Sequence, residues 1–126
     1  MNWLDALHET LDEMRGREFA WGTIDCCQFT ARYVARRTGT NWADEYRYTN
    51  EAEANDMLEA AGGIDRIVTA ALGAPCADAE PGDVVLCRLG ECYPLGVFNG
   101  AFVWSVVEGH GLARLAPTSI ALRWRV

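Results

Sequence analysis

Cys26 follows Asp25 at the point where the loop Phe19-Ala20-Trp21-Gly22-Thr23-Ile24 gives way to a helix-forming run. Asp25 suits an N-cap, because its carboxylate can accept the free N–H groups of a first helical turn. The spacing predicts a helix over 26–37. A thiol in its first turn sits at the positive end of the helix dipole, which favours the thiolate, the nucleophilic form. Such a nucleophile needs a neighbouring base to carry its proton. The chain has two histidines, His8 and His110. His8 lies beside the apolar face of the first predicted helix, and nothing in its spacing brings it to Cys26. His110 sits at a turn between Gly109 and Gly111 and is the candidate for a displaced base. Asp25, Asp83 and Glu91 are carboxylates that could assist, although the sequence gives them no geometry.

The other cysteines do not make a metal centre. Cys26, Cys27, Cys76, Cys87 and Cys92 contain no CxxC pair and have no histidine close by. Zinc and iron–sulfur sites take about four ligands at workable spacing. No metal and no cofactor is therefore expected, and a cysteine metal site is the weakest functional reading. Five is also an odd number for a disulfide framework. Cys87 and Cys92 could face each other across a hairpin, with buried free thiols as the alternative.

Two kinds of element must position these residues. Trp3, Leu4, Leu7, Leu11 and Met14 fall at helical spacing over 2–14, with Asn2 as N-cap and Gly16 as stop. The cysteine helix follows, closed by Gly39. Trp42, Tyr46 and Tyr48 form an aromatic loop suited to packing over a core edge. A third helix begins at Asn50, where Glu53 completes a pattern like a capping box, and ends at Gly62-Gly63. A short fourth helix spans 64–72 and stops at Gly73-Ala74-Pro75. After Pro81-Gly82 the hydrophobic period changes to two, predicting strands at 83–88, 93–99, 101–107, 112–115 and 121–126. Asn99-Gly100 reads as a two-residue hairpin turn and Gly109-His110-Gly111 as a second reversal. Helices first and an antiparallel sheet after predict an α+β fold in a single domain, residues 1–126.

Composition narrows the partners. The 126 residues carry 11 basic and 18 acidic side chains, a net charge of −7, and every basic residue is arginine. Phosphate-binding surfaces need clustered cations, so nucleic acid is not an expected partner. Arg32, Arg36 and Arg37 make a small patch that reads as a solvated helix face. No apolar run approaches the roughly 20 residues of a membrane span, and no charged segment followed by an apolar one marks a secretory signal. The expectation is a soluble protein made in the cytoplasm.

Trp21-Gly22 with Asp25-Cys26, then Pro81-Gly82-Asp83-Val84-Val85-Leu86, then Leu95-Gly96-Val97-Phe98-Asn99-Gly100, together resemble the NlpC/P60 family of papain-like cysteine peptidases. The resemblance spans roughly residues 19–105. It is nearest to a small group of phage-encoded relatives that share the WGxxDCC element, the GDVVL strand and a terminal GL…P…WRV pattern. It implies a papain-like NlpC/P60-type fold, with N-terminal helices packed on a C-terminal antiparallel sheet. It makes Cys26 the nucleophile. It places the family's histidine at Pro94, which cannot accept a proton, and the third polar residue near Trp104 and Ser105, with Ser105 as the candidate. A positioned base contributes about 10²–10⁴ in rate, and triad members act as a unit. The expected function is accordingly a structural and assembly component of a phage tail tip or baseplate with a degenerate peptidase fold. It would contact other tail proteins, be made in the host cytoplasm and end in the virion. The alternative is an active hydrolase of peptidoglycan stem peptides with a non-standard base.

Overall fold

The computed structural model describes all of residues 1–126. Helix α1 spans Trp3–Met14 and is capped by Asn2, whose side chain accepts the Asp5 N–H at 2.8 Å. Helix α2 spans Cys26–Thr38 and is capped by Asp25. A 3-10 turn at Trp42–Glu45 interrupts the aromatic loop, a feature that hydrophobic spacing does not reveal. Helix α3 covers Glu51–Ala61 and α4 covers Ile64–Leu72. At the start of α3, Asn50 accepts the Glu53 N–H at 2.9 Å, while the Glu53 carboxylate reaches back to Thr49. The reciprocal bond of the capping box is thus made one residue early.

Five strands follow: β1 Val84–Cys87, β2 Leu95–Phe98, β3 Val103–Val107, β4 Gly111–Leu115 and β5 Ile120–Trp124. They form one antiparallel sheet in the order β4-β3-β2-β1-β5. The first four make a meander. The last strand passes over a 3-10 turn at Pro117–Ser119 to pair with β1 on its free side. The reversal between β2 and β3 is longer than a two-residue Asn99-Gly100 turn. Phe98 and Val103 form the last pair, and the Asn99 side chain accepts the N–H groups of Ala101 and Phe102.

Alternation along the strands gives the sheet two buried faces. Val84, Leu86, Leu95, Val97, Val106 and Trp124 meet Leu7, Met14, Phe29 and Tyr33 of the helices in the main core. Val85, Cys87, Phe98, Val103 and Leu115 form a smaller cluster on the opposite face. Helix α2 lies against β2 and β3, α1 lies against α2, and α4 touches β5. The start of α2 is thereby held over the strand that begins at Leu95.

The expected basic patch is not a free one. Arg36 pairs with Glu9 and Glu13, and Arg32 with Glu13, so the patch ties α2 to α1. Arg37 donates to the main-chain oxygens of Met1 and Val126. No helix is long and apolar enough to cross a membrane.

Candidate functional site around Cys26

The Trp21-Gly22-Thr23-Ile24-Asp25 turn is built by one carboxylate. Asp25 is buried, and its Oδ1 accepts the Gln28 N–H at 2.8 Å. Its Oδ2 accepts the Gly22 N–H and the Tyr48 O–H, each at 2.8 Å. Gly22 has φ +85°, and a Cβ there would stand 2.0 Å from the Tyr48 carbonyl oxygen. The spacing from Gly22 to Asp25 is therefore a mechanical requirement of the turn. With three donors on its two oxygens, Asp25 holds the loop together.

Cys26 emerges from this turn beside β2. It packs at the margin of the main core, and the Leu95 backbone lies close enough to act on its thiol. Cys26 and the strand that follows Pro94 are thus neighbours. The electrostatic expectation for Cys26 is reversed. Burial pushes its pKa up from an ordinary 9.0 to about 12, and nearby Cys27 and Asp25 add to the rise, with only backbone groups opposing it. The residue keeps a partial opening to solvent, but desolvation of the sulfur outweighs the helix dipole. The neutral thiol is therefore the favoured form at neutral pH.

Cys27 faces the other way. It is buried between the aromatic loop and α2, and burial raises its pKa to about 11 against weak hydrogen bonds from Trp42 and Tyr48. The Trp42 indole N–H finds no oxygen acceptor and has the Cys27 sulfur, a weak one, nearby.

The other sequence candidates are placed as follows. Ser105 is buried on β3 opposite Gly96, and its hydroxyl donates to the Leu95 carbonyl at 2.6 Å. By strand alternation it shares its side with Val103 and Val107, which belong to the smaller cluster, whereas Cys26 packs on the helix side. The sheet therefore separates the two side chains, and they are linked only through the Leu95 backbone. His110 is exposed in the reversal between β3 and β4. That reversal lies at the end of the sheet where β2 begins, because β2 and β3 run antiparallel. Burial, the Leu95 backbone, Cys27 and Asp25 govern the Cys26 thiol, and no histidine is among them. His8 is exposed on α1.

Asp83 is also structural. It is buried, accepts the Glu80 N–H at 2.7 Å and binds Arg125 Nε at 2.8 Å. Tyr33 on α2 donates to the Gly82 carbonyl at 2.6 Å. The Gly82-Asp83 element fastens the sheet to α2 and to the end of the chain. Glu91 is exposed at the tip between β1 and β2. Cys87 and Cys92 are free thiols and do not pair across that hairpin. Cys87 lies opposite Pro94 and Cys92 opposite Leu89. No three His, Cys, Asp or Glu side chains gather as a metal-binding group.

The family model described as a domain of unknown function, DUF6950, matches residues 1–126. The chain belongs to that family. No curated protein matches it significantly.

One trough near the cysteine helix was not legible in the sequence. It has a volume of about 360 Å³ and lies between the Trp21–Thr23 turn and the 43–49 loop, with Gln28 of α2 at its side. A second open hollow of about 360 Å³ lies between α1 and α2 and is lined by the ion-paired Glu13, Arg32 and Arg36. Cys26 lines neither.

Proposed function

We propose that this DUF6950 domain is a structural, non-hydrolytic member of the papain-like NlpC/P60 type that serves as an assembly component of a phage tail tip or baseplate. The observation that carries the non-hydrolytic reading is the state of Cys26. Cys26 is only partly open to solvent and desolvation pushes its thiol pKa up to about 12, the resemblance puts Pro94 at the position of the base, and the nearby carboxylate accepts three hydrogen bonds in the turn. Cysteine hydrolysis needs a thiolate, and an amide leaving group needs a proton donor. The desolvated thiol and the proline at the base position weigh against both. The placement of α2 across β2 and β3, with Cys26 beside Leu95, supports the scaffold assignment. The tail assignment rests on the sequence resemblance, and an acidic, lysine-free chain suits protein contacts better than phosphate.

A hydrolase reading has one observation in its favour: Cys26 keeps a partial opening to solvent beside a main-chain hydrogen-bond donor. Incubating purified protein with peptidoglycan sacculi separates the two. No released stem-peptide fragment is expected by mass spectrometry, and fragments that vanish with Cys26→Ala would establish the hydrolase instead. Mass spectrometry of purified virions tests the assembly role. The chain is expected in the tail fraction, and its absence from virions would remove that role.

A further inference from the structure

We infer that the trough beside α2 is a saccharide-binding site, one that takes a neutral pyranose chain. The inference goes beyond the structural role and does not depend on it, since Cys26 does not line the trough. Trp21 and Tyr46 are both only half-buried and line opposite walls, although Trp21 also packs edge-to-face on Phe19 with ring centres 4.9 Å apart and Tyr46 also packs on the main core. An aromatic face presents a flat apolar surface with a negative quadrupole, to which the C–H face of a sugar ring is complementary. Around these rings stand Gln28, Asp44 and Arg47, planar side chains that can each give or take paired hydrogen bonds, together with the Thr23 hydroxyl.

Two of those polar groups are uncommitted; the Thr23 hydroxyl already donates to the Ala20 carbonyl at 3.4 Å, and the Gln28 side chain acts on the Tyr48 hydroxyl. Asp44 and Arg47 are exposed and make no ion pair, unlike Arg15, Arg32, Arg36 and Arg125. Arg114 is likewise occupied, lying 5.4 Å from the ring centres of both Phe102 and Trp104. One free carboxylate and one free guanidinium cancel in charge, which suits a neutral polyol better than an ion. The walls are also preorganised. Asp25 ties the Gly22 side to Tyr48 on the other, so little ordering entropy is lost when a ligand arrives. The volume of about 360 Å³ lies at the low end of small-molecule sites, and an open trough lets a chain run out at both ends.

Calorimetric titration of the full chain with chitotetraose and with maltotetraose tests the inference. Saturable binding of at least one is expected, with a dissociation constant of about 1 mM or tighter. Tyr46→Ala and Arg47→Ala should each weaken it at least about tenfold, while Tyr93→Ser on the β1–β2 hairpin should leave it unchanged. Trp21→Ala should abolish it. Circular dichroism melts show whether that variant still folds, and the Tyr46 and Arg47 variants carry the test if it does not. No saturable heat from either sugar at about 10 mM would overturn the inference. So would binding that survives both Tyr46→Ala and Arg47→Ala, or tighter binding of the dipeptide Ala-Glu at the same residues.

Discussion

Asp25 carries more of the local structure than the cysteine beside it. It caps α2, closes the Gly22 turn and receives the Tyr48 hydroxyl, all from a buried position. Asp25→Ala removes three hydrogen bonds and leaves a buried Tyr48 hydroxyl unpaired, so urea denaturation should show a loss of about 3 kcal/mol. The neighbouring thiols set an alkaline limit. Below about pH 9 both folded and unfolded chains keep the Cys26 and Cys27 protons. Above it the unfolded chain ionises near its ordinary 9.0, while the folded chain holds the protons up to about 12 and about 11. Stability should therefore fall as pH rises through this window, by up to about 1.4 kcal/mol per pH unit for each thiol. Urea titrations at stepped pH check this, and Cys26→Ala should make the decline shallower. The N-cap role of Asp25 was readable from its place before a helical run. Its partnership with Tyr48, 23 residues away, was not, because spacing carries no information about which loop folds back. The reversed pKa of Cys26 was hidden for the same reason. A helix start is local, but the burial that outweighs it comes from the tertiary core against which Cys26 packs.

At the scale of elements, the turn before α2 depends on a close backbone approach. Gly22→Ala puts a Cβ against the Tyr48 carbonyl at a positive φ, so it should cost about 2–4 kcal/mol in thermal or urea unfolding. A loss under 1 kcal/mol would mean that the 43–49 loop yields easily, and would loosen the trough walls with it. Gly96 plays the matching part in the sheet. A Cβ there would stand 2.3 Å from the Trp104 carbonyl oxygen, so β2 and β3 approach closely only with glycine at 96. The four helices were legible to within a residue or so because side-chain caps mark the starts of α1, α2 and α3, and the glycines at 62–63 and 73 bracket α4. Four of the strands run shorter than their sequence patterns, and β4 starts one residue earlier than its pattern, at Gly111. Asp83 belongs to the turn it closes, Tyr93 is exposed outside the ladder, and Asn99 gives its side chain to the reversal. Each is a residue whose side chain or exposure ends the pairing although its neighbours keep the alternation.

For the whole molecule, the strand order shows what local patterns leave open. Four consecutive strands were visible as alternating runs, but nothing in spacing says that β5 returns to the far side of β1. Trp124 explains the return. It is fully buried between the sheet and α4, where its indole N–H donates to Thr69 at 3.1 Å. Trp124→Ala should cost about 3–5 kcal/mol, measured by thermal unfolding, because it opens a cavity and strands the Thr69 hydroxyl. Asp83 and Arg125 fasten the same strand from its end. The expected α+β architecture is present, and its motif residues Gly22, Asp25, Gly82 and Asp83 act as scaffold. Residues of a motif can hold a scaffold whether or not the thiol beside them reacts. The most direct test is the rate of iodoacetamide alkylation of Cys26 in the folded protein between pH 6 and 10, read by peptide mass spectrometry. Slow labelling is expected at neutral pH, far below that of the urea-unfolded chain, with no plateau before the protein begins to unfold. Fast labelling at pH 7 with an inflection near or below neutrality would show an activated thiolate and contradict that expectation.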